Sequence, residues 1–105
     1  MVSLKQGLIK VRNLIQKGWC RNEDAKTKDN KTCRFDNPKA VKFCIFGALA
    51  RCKVNNADSL IRSFLPKKFS VWTQQNEPIS IDKFNDQCKD KRQVIRMLNK
   101  VIQSI

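Results

Sequence analysis

Asn37-Pro38-Lys39-Ala40-Val41-Lys42-Phe43-Cys44-Ile45-Phe46-Gly47-Ala48-Leu49-Ala50-Arg51-Cys52 is the stretch on which the fold turns. Asn before Pro is a helix-start signal, because Asn caps well and Pro fits the first helical position. From Ala40 to Cys52 apolar side chains then fall on every side of a helical projection. A helix apolar all round is the buried centre of a small domain. The stretch therefore predicts a central helix over 38–53, ended by Asn55-Asn56. Gly47 and Ala48 in its middle leave room for a close neighbour, at some cost in helix propensity for the glycine.

Working outward, amphipathic segments lie on both sides. Residues 3–17 carry Leu4, Leu8, Val11 and Ile15 on one stripe, and Ser3 with Gln6 has capping-box spacing. Gly18 is placed to end this helix in a left-handed conformation. Residues 90–105 carry Val94, Leu98, Val101 and Ile105, widened by Ile95 and Ile102, with Asp90 and Gln93 as caps. A short helix over 57–65 stops at Pro66. The polar stretch 20–37 is long for a connection in a compact domain, with Trp19, Ala25 and Phe35 as its anchors. A strand around 69–72 or 79–81 is an open alternative within the irregular connector. The expected fold is all-α: one domain over 1–105, three main helices and one short one around a buried central helix.

Charge bounds the function. The 105 residues hold 22 Lys and Arg against 9 Asp and Glu, with no histidine, for a net +13. The excess is spread, +8 over residues 1–52 and +5 over 53–105, so it belongs to the folded surface and not to a tail. Such a surface attracts phosphate backbones or acidic proteins. The first residues lack a basic segment followed by an apolar run, and no stretch approaches the ~20 apolar residues of a membrane span. Five cysteines without an export signal suit free thiols in a reducing cytoplasm.

On the last helix Arg92, Arg96 and Lys100 recur every four residues on the solvent side, with no acid three or four positions away and with Asn99 and Gln103 beside them. Like charges at that spacing repel, and an anion would turn the cost into attraction. Lys5 and Arg12 extend this row if the first and last helices are neighbours. Arg62, Lys67 and Lys68, interleaved with Phe69 and Trp72, form a second basic cluster of the kind single-strand binders use. The cysteine spacings contain no zinc knuckle, so no metal and no cofactor are expected. Glu23, Asp24, Asp29 and Asp36 alternate with cations, as in a salt-bridged loop. Isolated glycines at 7, 18 and 47 cannot form a phosphate-cradling loop.

Gly18-Trp19-Cys20, Ala25 through Asn30, Asp36-x-Pro38-x-Ala40-x-x-Phe43-Cys44-x-x-Gly47-Ala48-Leu49 and Phe84-Asn85-Asp86 together resemble a small uncharacterised domain family of bacteria and their phages. The resemblance implies a compact, mostly helical fold and no established activity, and it marks Trp19, Asn85 and Asp86 as a family site. Members carry an Ala-x-Asp-x-x-Gly loop where this chain has Thr27 and Asn30. The leading expectation is a non-enzymatic, nucleic-acid-associated cytoplasmic protein linked to phage or mobile elements. The alternative is an inhibitor or adaptor docking on an acidic or nucleic-acid-mimicking protein surface. A third is a small enzyme or ligand-binding domain working through Trp19, Asn85 and Asp86. No motif encodes an oligomeric state or a sequence preference.

Overall fold

The computed structural model describes residues 3–65 and 81–105. Its elements run α1 (Leu4–Lys17), β1 (Ala25–Thr27), β2 (Thr32–Cys33), β3 (Ala40–Phe43), α2 (Ile45–Arg51), α3 (Asp58–Ser63), α4 (Ile81–Gln87) and α5 (Lys91–Gln103). The fold is α+β, not all-α, since β2, β1 and β3 form a three-stranded antiparallel sheet in that order.

The correction falls on the deciding stretch. The expected central helix 38–53 is a strand followed by a helix half its length. Ala40 and Phe43 are buried while Val41 is 45 % exposed, and the pairing register shifts between Lys26 and Thr27. The strand's partner is β1, with Ala25 opposite Phe43, Lys26 opposite Lys42 and Thr27 opposite Ala40. Cys44 then breaks the ladder in extended conformation and caps α2, its sulfur accepting from the Gly47 N–H at 3.3 Å. Asn37 does not start a helix. Its side chain accepts from the Lys39 N–H at 2.8 Å, the two-residue reach of an Asx turn. The chain before β3 is pinned by Arg51, whose guanidinium donates to the carbonyls of Phe35 and Asn37, each at 2.9 Å.

The polar stretch 20–37 is not a loose connection but holds the β1–β2 hairpin. Thr27 N–H donates to the Lys31 carbonyl, and Asn30 sits in the left-handed region at φ 63°. Asn tolerates that region better than most residues, which is how it serves where a glycine stands in the resembling family. Thr27, in place of the family's Asp, accepts from the Lys31 N–H through its hydroxyl at 3.3 Å, as a Ser/Thr turn does. Both departures keep the turn chemistry.

The amphipathic helices form where their stripes place them. The Ser3–Gln6 capping box is complete in both directions, and Leu8, Val11 and Ile15 are buried. On α5, Val94, Leu98, Val101 and Ile102 are buried together with Met97, while Ile105 lies beyond the helix and is 45 % exposed. The helix expected over 57–65 spans Asp58–Ser63, and α4 is an element the sequence reading did not anticipate. Helices α1 and α5 run antiparallel. Arg12 donates to Asn99 at 3.0 Å, and one turn later Lys91 donates to the Gln16 carbonyl at 2.7 Å. One continuous core joins α1, β1, β3, α2, α3, α4 and α5. The strand alternative at 69–72 lies outside the described residues.

Candidate functional site

Two glycines let the sheet and the helices meet. A Cβ on Gly47 would lie 1.9 Å from the Asp24 carbonyl oxygen, and one on Gly18 would lie 2.1 Å from that of Val41. Both distances are far inside van der Waals contact, so only glycine fits at either position. Gly18 is extended (φ −167°) and not left-handed, so its constraint is steric. This closeness brings the 18–20 segment beside β3, where Phe43 N–H donates to the Gly18 carbonyl and Cys20 N–H to the Phe43 carbonyl.

At this seam the structure brings together Trp19, Asn85 and Asp86, which are 66 and 67 positions apart along the chain. Asn85, in the last turns of α4, is 1 % exposed. Its Oδ1 accepts from the Trp19 indole at 2.9 Å and from the Ile45 backbone N–H at 3.2 Å. Its Nδ2 donates to the Cys20 carbonyl and to Asp86 Oδ1, both at 3.1 Å. An amide has two acceptor lone pairs and two donors, so Asn85 has no capacity left. Asp86 Oδ1 also accepts from the Asn22 N–H at 2.7 Å, holding Asn22 at φ 68°. Asn85 also satisfies one of the free N–H groups at the start of α2. The network ties α4, α2 and the segment entering β1 into one joint.

Two thiols, Cys20 and Cys44, are buried at this joint. Burial raises Cys44 to about 12 and Cys20 to about 11, against an ordinary value of 9.0, and it raises Cys52 as well. Cys20, Cys33, Cys44 and Cys52 are free thiols. Among the described residues no three His, Cys, Asp or Glu side chains cluster as a metal site.

The basic row of α5 is also in place. Arg92, Arg96 and Lys100 are exposed, and the Arg12–Asn99 bond sets the Lys5–Arg12 side of α1 beside them. Arg92 is not uncompensated, because the helix cap Asp90 pairs with it at 3.1 Å. Asp90 lies two positions before Arg92, outside the three- and four-residue helical spacing, and reaches it from the cap. The Arg92 side chain is 82 % exposed, so the pair is worth little. Among the described residues Arg96 and Lys100 have no carboxylate partner. Arg62 stands apart on α3 and pairs with Asp58 at 3.2 Å. Lys67, Lys68, Phe69 and Trp72 lie outside the described residues.

A model of a family described as "Family of unknown function (DUF6197)" matches residues 2–104. The chain belongs to this family. That it falls in an uncharacterised domain family is what the resemblance implied. No curated protein and no solved structure matches it. Among the described residues, no helix is long and apolar enough to cross a membrane.

Proposed function

We propose that this family member binds nucleic acid without chemistry of its own, through phosphate contacts along the paired faces of α5 and α1. The single observation behind the reading is the exposed row Arg92, Arg96 and Lys100, flanked by Arg12 through its bond to Asn99. Arg96 and Lys100 repel each other at helical spacing, and phosphates along a groove would relieve that repulsion. Lys5, two turns before Arg12, lies on the same side of α1 and lengthens the row. Asn99 and Gln103 add amides suited to sugar, phosphate or base edges. Free thiols at Cys20, Cys33, Cys44 and Cys52 suit a reducing compartment, which supports a cytoplasmic setting.

The test is fluorescence anisotropy with DNA duplex and with single-stranded RNA over a range of salt. Binding should weaken steeply with salt, and the double variant Arg92→Glu, Arg96→Glu should bind less and lose roughly one unit of salt slope per phosphate contact removed. A double variant with parental affinity and slope would make this face merely solvated. A parent with no salt-dependent binding, yet retaining a single acidic protein, would replace nucleic acid by a protein partner.

A further inference from the structure

A second cationic site lies away from the α5 face, over the Trp19 joint. A cleft of about 310 Å³ is lined by Trp19, Arg21, Asn22, Lys26, Asn30 and Lys42. That is the lower end of the size range of small-molecule sites. We propose that it binds a phosphate monoester.

The argument rests on which charges the sheet places together. Lys26 on β1 and Lys42 on β3 are direct cross-strand partners, so both side chains rise from one face of the sheet. Like charges in that register oppose pairing, and both lysines are half-buried, away from full screening. The carboxylate facing Lys26 is Glu23, at 4.0 Å. Among the described residues Lys42 and Arg21 have none: Lys42 donates to the Asn30 side chain, and Arg21 donates to the Cys88 carbonyl at 3.3 Å. Three cations and no carboxylate line the cleft, while Glu23 pairs with Lys26 and Asp86 sits behind Asn22, accepting from its N–H.

The site is also held in shape. The Trp19 indole is locked by Asn85, which is fully engaged, so this wall cannot turn away. The Arg21 guanidinium lies over the indole, 5.8 Å from its centroid, besides holding the Cys88 carbonyl. Donors fixed before the ligand arrives cost less to order on binding. A phosphate monoester carries close to two negative charges at neutral pH, so it gains more from the three lining cations than an internal phosphodiester, which carries one. The pocket suits a terminal phosphoryl group with the sugar attached to it, from a free nucleotide or from the 5′ end of a strand. It is independent of the α5 reading, since it shares no residue with that row.

The experiment titrates a Trp72→Phe background, whose remaining indole is Trp19, with inorganic phosphate, a nucleoside 5′-monophosphate, the bare nucleoside, and a short oligonucleotide with and without a 5′-phosphate. Saturable change in Trp19 fluorescence is expected with the monophosphate and not with the nucleoside. Lys42→Gln and Arg21→Gln should each weaken it about tenfold, the loss of one charge-assisted contact, while Arg92→Glu, Arg96→Glu leaves it unchanged. In the Arg92→Glu, Arg96→Glu background, tighter binding of the 5′-phosphorylated strand than of both the unphosphorylated strand and the monophosphate identifies a strand end as the source, and affinity equal to the monophosphate's identifies the free ester. Circular dichroism checks that each variant is folded, and Lys26→Gln replaces one that is not. Absence of saturable binding up to millimolar monophosphate, equal binding of the nucleoside, or parental affinity in folded Lys→Gln and Arg→Gln variants overturns the proposal, whatever the α5 face does.

Discussion

The α1–α5 pair and the Trp19–Asn85 joint are both contacts between distant parts of the chain, yet they are held by opposite means. The helix pair is closed by apolar stripes, and its polar bonds, Arg12 to Asn99 and Lys91 to Gln16, sit at the margin. The joint is closed by a buried amide with four hydrogen bonds and by backbone approaches that leave no room for a methyl group. Removing a polar partner at the margin lets water take its place. Removing one in the joint strands donors and acceptors that water cannot reach. The joint should therefore be brittle and the helix pair tolerant.

Asn85→Ala tests this contrast at its extreme. It leaves the Ile45 N–H, the Cys20 carbonyl and the Trp19 indole without their partner, and at about 1–3 kcal/mol for each stranded group it should cost at least about 3 kcal/mol. Against a typical domain stability of about 5–15 kcal/mol that is a large share. Urea unfolding reads it directly, and a loss below about 1 kcal/mol would show that the joint relaxes or admits water.

A smaller effect sharpens the comparison through pH. The folded state holds the Cys44 thiol up to about 12 by burial, against 9.0 ordinarily. A raised folded value means the unfolded chain ionises first. The thiol's contribution is thus fully present below pH 9 and lost progressively as pH climbs from 9 towards 12. Cys44→Ser keeps a capping atom for Gly47 but removes this titration. Its melting temperature should fall less steeply than the parent's above pH 9, and identical slopes would mean that the thiol is not sealed in the joint. In the native parent at pH 8, Cys20 and Cys44 should resist alkylation, because the thiolate is the reactive form.

The smallest effect belongs to the helix pair. Asn99→Ala removes the Arg12 bond but leaves the stripes intact, and should cost under about 1 kcal/mol by the same urea measurement. A loss comparable with that of Asn85→Ala would erase the distinction between the two regions.

What could be read in advance divides along the same line. The Ser3–Gln6 box, the Asp90 cap and the stripes of α1 and α5 are patterns within a few residues, and each appears in the structure where its spacing put it. The split of 38–53 into β3 and α2 was not readable, because a four-residue apolar strand and a buried helical turn carry the same composition. What decides between them is β1, a three-residue strand with no alternation of its own. Asn37-Pro38 misled because Asn closes an Asx turn as readily as it caps a helix. The row Arg92–Arg96–Lys100 was visible as a period. The cleft of Arg21, Lys26 and Lys42 was not, since it exists only once the register sets Lys26 opposite Lys42.

By itself, then, the amino-acid order determined the amphipathic helices, the spread of positive charge and the lack of histidine, all of which are local or additive properties. The tertiary structure alone decided the sheet, the glycine contacts at Gly18 and Gly47, and the meeting of Trp19 with Asn85. Those depend on pairings across tens of residues, whose closure has a free-energy cost that no short window of sequence reveals.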